Sequence, residues 1–391
     1  MSEPCTDLRN HMPVGADFAY FDHAAVSPLP ALSAQAMADY AFTASTSGCA
    51  QWLQWSAAVA QLRQTAARLV VAKTEEVALV NNTTQGINLI AEGFPWKAGD
   101  NVVVPENEFP SNLLPWRNLA RRGVELRTVK VPPSGEITPD AIRQVVDHRS
   151  RLIAISWVGF TSGFRIDVAK FVELAHDCGC LLMLDAIQGL GAFPLNVRDT
   201  NVDFFCADGH KWMLGPEGAG LMYIKQEHLN LLEPLGLGWG SLATGAFDPA
   251  SVEIKQAADR YEGGSTNMSG MIGFGESLKI LEDCGAGRAD SPIAAAVLEN
   301  VAELQALLTA ADFEVHLPSD PSRRSGILGI SWAGGQDLAQ SARVYAEARK
   351  FLLERKIMLS VRGGRLRVST HAYNNEQDRQ RLVEALDNFR G

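Results

Sequence analysis

The stretch FFCADGHKWMLGPEG, from Phe204 to Gly218, joins an apolar run to a glycine-proline turn and places a histidine and a lysine between them. The run is apolar at nearly every position rather than at every second one, which is typical of a strand buried on both faces of a parallel sheet. A turn needs no cation, so Lys211 is a candidate for chemistry at the end of this strand. A single lysine is more often a solvated surface group, and the stretch alone leaves that alternative open.

The segment from residue 75 to residue 225 repeats this pattern, because short apolar runs alternate there with segments of helical period. The runs are EEVALV (75–80), NVVVPE (101–106), RLIAISWV (151–158), CLLMLD (180–185) and VDFFCAD (202–208). This alternation predicts a large α/β domain with a mainly parallel sheet.

The pattern changes after GGSTNMSGMIGFG (263–275), where amphipathic segments near 292–310 and 338–355 alternate with GILGISW (326–332) and GRLRVST (364–370). This change predicts a smaller C-terminal α+β domain. We therefore expect an N-terminal arm (1–20), a large domain (21–262) and a small C-terminal domain (263–391).

Composition excludes several classes of function. The chain has 391 residues, of which 46% are apolar and 20% charged, as in globular proteins. A net charge of -10 without a long basic cluster argues against a nucleic-acid partner. The start resembles no signal peptide and the apolar runs are too short for a membrane span, which predicts a cytoplasmic protein with no membrane partner. The spacing of the six cysteines indicates neither a disulfide scaffold nor a metal site.

Polar residues follow the apolar runs, at the edge of a parallel sheet where ligands bind. Thr83 and Thr84 precede a helical segment and offer hydroxyls and a helix N-terminus to a phosphate, although an N-cap that binds nothing would have the same sequence. Asp185 ends an apolar strand, where a buried carboxylate needs a cationic partner unless it caps a helix. A pyridinium nitrogen would serve, and Lys211 could condense with the aldehyde of pyridoxal phosphate. The set therefore predicts a pyridoxal 5'-phosphate site.

The longer stretch DFFCADGHKWMLGPEGAG (203–220) resembles the cofactor-lysine motif of the class V aminotransferase superfamily, which includes cysteine desulfurases, selenocysteine lyases, kynureninases and isopenicillin-N-epimerase-like proteins. The resemblance extends from FDHAAVSPLP (21–30) to RLRVSTHAYN (365–374). It implies the fold-type-I architecture of pyridoxal-phosphate enzymes, an α-amino acid substrate, and a homodimer with its active sites at the subunit boundary.

The resemblance also implies roles around the cofactor ring. Lys211 would be the catalytic residue that forms the Schiff base and moves the substrate α-proton. Asp185 would pair with the ring nitrogen, and Gln188 would bind the ring hydroxyl. Phe109, in EFPSN (108–112), would stack on the ring, although a phenylalanine at a strand end is more often a core residue.

Further roles concern the phosphate and the substrate. Thr83, Thr84 and His210 would bind the phosphate, and Ser265, in RYEGGSTN (260–267), would reach the phosphate of the partner subunit. Arg367 would bind the substrate carboxylate, for which a planar guanidinium is well suited.

Two departures from the family pattern bear on the reaction. The segment 350–367 lacks the nucleophilic cysteine of the desulfurases, and Asp208 stands where they have a serine that donates to the phosphate. A carboxylate there is repelled by the phosphate, so we expect Asp208 to turn away or to be neutralised by a backbone amide or an arginine. Arg362 and Arg365 are expected to be solvated surface charges.

The leading hypothesis is a class V aminotransferase or isopenicillin-N-epimerase-like activity. The alternative is a C–S or C–Se β-lyase that uses no cysteine nucleophile, as a selenocysteine lyase or desulfurase-like enzyme. A catalytically silent scaffold is favoured less, because it would need none of the four residues Lys211, Asp185, Gln188 and Arg367.

Overall fold

The computed structural model describes residues 3–243, 252–332 and 338–390. Its strands are β1 (Ala19–Tyr20), β2 (Val77–Val80), β3 (Asn101–Pro105), β4 (Glu125–Val129), β5 (Ser150–Ser156), β6 (Leu181–Asp185), β7 (Phe204–Asp208), β8 (Gly220–Ile224), β9 (Phe313–His316), β10 (Ile327–Trp332), β11 (Ile357–Met358), β12 (Ser360–Arg362) and β13 (Arg365–Ser369). Its helices are α1 (Glu3–Asn10), α2 (Ala31–Ser47), α3 (Trp52–Leu69), α4 (Thr83–Gly93), α5 (Leu114–Asn118), α6 (Pro139–Arg143), α7 (Val168–Asp177), α8 (Val197–Thr200), α9 (Met268–Asp283), α10 (Pro292–Ala310), α11 (Leu338–Glu354) and α12 (Glu376–Arg390).

The central sheet has seven strands in the order β2-β8-β7-β6-β5-β3-β4. Strands β3 to β7 run parallel to their neighbours within this group, while β8 is antiparallel to both β7 and β2. The mainly parallel sheet is therefore present as predicted. The run EEVALV departs from the prediction, because its strand β2 lies at an edge of the sheet and pairs only with the antiparallel β8.

Burial on both faces explains why the strands are apolar at consecutive positions. Along β7, Phe204 and Cys206 join a core cluster that includes Ile87 and Ile90 of α4. The alternate residues Phe205 and Ala207 join a second cluster, to which helices α3, α7 and α9 contribute. Since successive side chains of a strand point to opposite faces, both kinds of position must be apolar.

A third core cluster lies among the antiparallel sheet β12-β13-β10-β9 and helices α10, α11 and α12. It also contains Ala19 and Phe21, because β1 pairs in parallel with β11. The segment expected to be an arm is thus packed against the C-terminal part of the chain, while α9 packs with α2 and α3. The division of the chain at residues 20 and 262 stays a prediction.

Helix α10 is long and apolar enough, by length and composition, to cross a membrane. Its residues Val297, Val301 and Leu304 are buried within the core of the structure. A core helix of a globular protein passes the same test of composition, so the helix carries no argument for a membrane.

The turn after β7 fixes where the cation-bearing segment leaves the sheet. Gly209 donates its N–H to Ala219 O at 2.8 Å, and a Cβ on this glycine would lie only 2.8 Å from the same oxygen. A larger residue would therefore push β7 and β8 apart at this point. Ser27 secures the next two residues, because its N–H donates to His210 O and its hydroxyl donates to Lys211 O.

Candidate active site

A cleft of about 360 Å³ lies at the carboxyl ends of β6 and β7, beside the first turn of α4. Every predicted site residue except Ser265 lines it. The lining residues are Ala24, Ala25, Val26, Asn82, Thr83, Thr84, Phe109, Ser111, Phe160, Asp185, Ile187, Gln188, Asp208, His210, Lys211, Arg362 and Arg367. The sheet thus brings together side chains separated by up to 343 positions of sequence, from Ala24 to Arg367.

Lys211 is a buried residue of the cleft, and its amine interacts with several charged side chains around it. Its side chain is only 8% exposed, and its Nζ lies 5.6 Å from the centre of the Phe109 ring. Burial lowers the pKa of the Lys211 amine to about 8, with the charges of Arg367 and Arg362 acting in the same direction and that of Asp185 opposing them. The amine is therefore a far better nucleophile near neutral pH than an ordinary lysine.

Asp185 is buried at the end of β6, where its Oδ1 accepts a hydrogen bond from Ile187 N at 3.1 Å. Burial raises the pKa of this carboxyl to about 6, and the hydrogen bond and the charge of Lys211 hold the rise in check. A cation bonded directly to the carboxylate would lower its pKa further and stabilise its ionised form. The position suits a protonated ring nitrogen.

Hydroxyl groups collect at the start of α4. Thr83 Oγ1 accepts the Asp208 N–H at 2.8 Å, so its own hydroxyl hydrogen is left to donate. Thr84 Oγ1 lies 2.7 Å from Ser111 Oγ, which was not singled out from the sequence. Together with the free N–H groups of the first helical turn, these hydroxyls form a suitable phosphate site.

Asp208 stays in the cleft instead of turning away. Its Oδ2 lies 3.0 Å from His210 Nδ1, so the nearest charge partner is a histidine rather than the backbone amide or arginine that we expected. Asp208 Oδ1 is buried and lacks a hydrogen-bond partner among the described residues, and His210 Nδ1, although close to Oδ2, is not aligned with it for a hydrogen bond. An unpaired buried polar atom is costly, which makes this pair a candidate contact for a polar ligand.

The amide of Gln188 is held in one orientation by two buried partners. Its Oε1 accepts the Trp212 indole N–H at 2.9 Å, while its Nε2 donates to Ala24 O at 3.0 Å. An indole N–H can only donate and a backbone carbonyl can only accept, so the reverse orientation would place like groups together. The second N–H of the amide is therefore left for the cleft, as a donor to a ring oxygen.

Arg367 is fixed by three different acceptors. Its Nε donates to Ser360 Oγ at 3.1 Å, one Nη to Phe160 O at 2.9 Å and the other Nη to Asp22 at 3.3 Å. Of the five N–H groups of a guanidinium, one remains on each Nη, which matches the two oxygens of a carboxylate. Sequence analysis assigned the arginine but missed Asp22, since nothing near it in the sequence points to a partner 345 positions away.

Ser265 is exposed and lies outside the residues that line the cleft. Its predicted role concerns the phosphate of a partner subunit, so it stays a prediction.

Two other residues escaped the sequence analysis. Arg362 is exposed, as expected, but it also lines the cleft. Glu108 accepts hydrogen bonds from the N–H and hydroxyl of Ser156, and burial is the main cause that raises the pKa of its carboxyl to about 7. Its position directly before Phe109 was the only available signal, and a charged residue in a loop is usually solvated.

The donor set fits pyridoxal phosphate. The cleft is of suitable size for a cofactor of this kind. It offers a buried lysine, a buried carboxylate at a strand end, an aromatic ring beside the amine, and a histidine near the hydroxyls at the helix N-terminus. Lys211, Asp185, Gln188 and Phe109 could hold the ring, and Thr83, Thr84 and His210 could hold the phosphate.

Comparison with known proteins decides the family. The model of the family "Aminotransferase class-V" matches residues 19–382, which is nearly the whole chain. The chain belongs to the aminotransferase class-V family. Together with the residues of the cleft, this membership makes it a pyridoxal-phosphate-dependent enzyme, as the sequence predicted.

Individual relatives are more specific than the family. The chain is 31% identical over 399 residues, and 98% of each length, to a probable cysteine desulfurase of Methanothermobacter thermautotrophicus. Its fold resembles the cysteine desulfurase of Thermococcus onnurineus, with a TM-score of 0.85, 23% identity and coverage of 98% and 97% of the two chains. It also resembles the cystine C–S lyase C-DES in complex with its product cysteine persulfide, with a TM-score of 0.86, 20% identity and coverage of 96% and 99%. A variant of C-DES carries glycine covalently linked to its pyridoxal-phosphate cofactor. These likenesses confirm the predicted fold-type-I architecture.

The pKa of Lys211 gives a testable pH dependence for cofactor capture. Only the neutral amine attacks an aldehyde, so capture of pyridoxal phosphate by cofactor-free protein should speed up by about tenfold per pH unit below pH 8 and level off above it. Stopped-flow absorbance would measure the rate. Lys211→Ala should not develop the absorption band of the Schiff base at any pH. A capture rate of the unchanged protein that is flat from pH 6.5 to 9 would contradict the assignment.

Asp208 should weaken the binding of a phosphate placed beside His210. Because Asp208→Asn removes the repelling charge at nearly constant shape, we expect the dissociation constant for pyridoxal phosphate to fall by about tenfold. Fluorescence titration of cofactor-free protein would measure it. The exposed Asp199→Asn, outside the cleft, is the control for net charge, and equal effects of the two changes would show that Asp208 does not face the phosphate.

Trp212→Phe tests the orientation of the Gln188 amide. Without the indole N–H only the bond to Ala24 O holds the amide. Its remaining N–H is then less firmly directed at the ring oxygen of the cofactor, which disfavours the ionised ring oxygen. The pKa of the visible absorption band should then rise by roughly one unit in a pH titration of the cofactor-loaded protein. Trp96→Phe is the matched control, since it removes another buried indole bond, to Ala91 O, outside the cleft. An unchanged band in Trp212→Phe would remove Trp212 from this role.

Proposed function

We propose that this enzyme is a lyase that breaks the bond between the β-carbon and sulfur of a cysteine-type amino acid without a cysteine nucleophile of its own. One observation carries the proposal: the described lining of the cleft contains a buried lysine and a buried arginine with two N–H groups left for a carboxylate, but no cysteine. The relatives support the C–S part, since they are a probable cysteine desulfurase and a cystine C–S lyase. They favour this alternative over the aminotransferase or epimerase activity that we first preferred.

None of the cysteines whose side chains the structure describes lines the cleft; these are Cys49, Cys178, Cys180, Cys206 and Cys284. Cys206 is fully buried in β7, and burial raises the pKa of its thiol well above the ordinary value. Burial likewise raises the pKa of the Cys180 thiol, to about 12. Cys284 is buried as well, and the exposed Cys49 follows α2 and does not line the cleft. A thiolate is the reactive form of cysteine, so the buried thiols are unsuited to taking up the substrate sulfur.

Arg367 and Lys211 would divide the work on the substrate. The two free N–H groups of Arg367 would bind the α-carboxylate in a bidentate manner. With the substrate held in this way, the Lys211 amine would remove the proton from the α-carbon, as its lowered pKa of about 8 allows near neutral pH. Pyridoxal phosphate supplies the electron sink that makes this proton acidic.

The leaving group is the sulfur substituent on the β-carbon. For cystine, cleavage of one C–S bond releases cysteine persulfide, and hydrolysis of the remaining fragment gives pyruvate and ammonia. Cystine and one water molecule therefore yield pyruvate, ammonia and cysteine persulfide, with no oxidant or reductant. The pair of electrons of the broken bond leaves with the sulfur, so no enzyme thiol is needed to accept it.

The remaining residues would support this chemistry through the cofactor. Asp185 would keep the ring nitrogen protonated, Phe109 would pack on the ring, and Gln188 would donate to the ring oxygen. A homodimer in which Ser265 reaches the partner's phosphate remains part of the proposal and rests on the family resemblance. A cytoplasmic location also remains part of it and rests on the prediction from the sequence.

The products of cystine and cysteine distinguish the candidate reactions. We expect cofactor-loaded enzyme to release pyruvate and ammonia from cystine in equal amounts, measured with lactate dehydrogenase and glutamate dehydrogenase assays. Cys49→Ser should keep the rate within about twofold, because a surface substitution outside the cleft has little effect.

If cysteine gave alanine as its main product, and if Cys49→Ser lost this activity, the reaction would be desulfuration through an enzyme thiol. That result would overturn the proposal. Keto acid formed with conversion of the cofactor to its amine form would restore the aminotransferase hypothesis. Exchange of the α-proton without net product would indicate an epimerase.

A further inference from the structure

A second cavity, of about 490 Å³, adjoins the active-site cleft at the carboxyl ends of β3 and β5. The two cavities share Phe160 in their linings. The Phe160 ring packs edge-to-face on the Phe109 ring, with the ring centres 5.3 Å apart, and the Phe160 carbonyl oxygen accepts a hydrogen bond from Arg367. A molecule in the second cavity would therefore lie beside the place proposed for the substrate. We call this second cavity the Glu108 cavity.

Glu108 is the one charged residue among the described residues that line the Glu108 cavity. The rest of that lining is uncharged and includes the apolar side chains of Ile137, Ile155 and Phe164. Within residues 3–243, 252–332 and 338–390, Glu108 forms no ion pair with a lysine, arginine or histidine. A carboxylate held away from water needs a cation or a proton to offset its charge. The cavity thus offers an anion that the described protein leaves unmatched.

The Glu108 carboxylate keeps acceptor positions for a ligand. One of its oxygens accepts the Ser156 N–H at 2.6 Å, and the other accepts the Ser156 hydroxyl. These two donors hold the carboxylate in place but carry no charge. A carboxylate has about four acceptor positions, so about two remain. Burial raises the pKa of Glu108 to about 7, and the charge of Asp185 adds to the rise, whereas a bound cation would oppose it and keep Glu108 ionised.

The lining favours one kind of cation. A metal ion would need several oxygen or nitrogen side chains, and Glu108 is the one carboxylate in the described lining. An ammonium group on an alkyl chain needs a single carboxylate for its charge and apolar side chains for its carbon atoms. The aromatic rings of Phe160 and Phe164 also suit a cation, since ring faces attract positive charge.

We propose that the Glu108 cavity binds a primary ammonium group on a short alkyl chain, with the Glu108 carboxylate as its counterion. Two sources share this chemistry. The substrate can carry the group on its substituent beyond the sulfur, past the shared Phe160, or a separate amine can bind beside the cleft. The first source rests on the proposed lyase function, whereas the binding of an ammonium group does not depend on the reaction.

Calorimetry with pentylamine and pentanol tests the role of the charge. Pentylamine is an ammonium ion at neutral pH, and pentanol has nearly the same shape without the charge. The cofactor-loaded enzyme is first reduced with borohydride, so that the added amine cannot displace Lys211 from the cofactor. We expect the amine to bind about tenfold more tightly than the alcohol, and Glu108→Gln, which keeps the shape and an acceptor for the Ser156 N–H, to remove this preference.

Glu136→Gln is the matched control. Glu136 is exposed and lies between Gly135 and Ile137, which line the Glu108 cavity, but it does not line the cavity itself. This variant loses the same charge and should keep the preference for the amine. The inference would be overturned if the unchanged protein bound both probes equally, or if the Glu108 and Glu136 variants lost the preference to the same extent.

A pair of substrates distinguishes the two sources. S-(2-aminoethyl)cysteine and S-propylcysteine have substituents of similar shape, and only the first substituent carries an ammonium group. With one water molecule each would give pyruvate, ammonia and the corresponding thiol. If the ammonium group of the substrate occupies the cavity, Glu108→Gln should lower the ratio of kcat/KM for the first substrate to that for the second by roughly tenfold.

An unchanged ratio, together with loss of the calorimetric preference in Glu108→Gln, would identify the ligand of the Glu108 cavity as a separate amine. If the unchanged enzyme released no pyruvate from any cysteine derivative, the lyase function would fail. The calorimetric comparison would still decide whether the cavity binds an ammonium group.

Discussion

The site depends on the burial of one amine, that of Lys211, away from water. Lys211 leaves the sheet at the carboxyl end of β7, between a glycine that permits the close turn and a tryptophan that is fully buried. In this position its positive charge is disfavoured, and the neighbouring arginines disfavour it further. The same burial that lowers the pKa of the lysine raises that of Asp185, so the two groups differ far less in proton affinity than they would in water. A cofactor ring with an aldehyde and a basic nitrogen satisfies both.

Most of what could be predicted from the sequence followed from the apolar runs of the parallel strands. The apolar runs ending in Asp185 and Asp208 predicted which edge of the sheet carries polar groups, because the carboxyl ends of parallel strands meet there. The family, the fold-type-I architecture and the cofactor are confirmed. The individual roles of Thr83, Thr84 and Phe109 stay predictions, although these residues do line one cleft.

What escaped prediction depends on contacts between distant parts of the chain. No local pattern indicates that Trp212 would orient Gln188, 24 positions earlier, or that Asp22 would pair with Arg367. The partner of Asp208 was misjudged because sequence suggests the need for a partner but not which group approaches it. Arg362 is exposed, as expected of an arginine, but the pairing of β12 with β13 also brings it into the lining of the cleft, which no local pattern indicates. The relatives favour the alternative reaction over the one ranked first, and the sequence could not make this choice, since the missing cysteine excluded one route but did not favour another.

The segment from residue 19 to residue 27 bridges elements from both halves of the chain. It pairs with β11, gives Asp22 to Arg367, accepts the Gln188 amide at Ala24 O and secures the backbone of Lys211 through Ser27. Strand β1 therefore has its partner only after β11, which lies more than three hundred positions later in the sequence, has been synthesised. Contacts of such long sequence separation form late and slowly. Formation of the pocket is thus coupled to the synthesis of β11 and β13, and a nascent chain that stops before these strands would contain the lysine without the contacts that complete its surroundings.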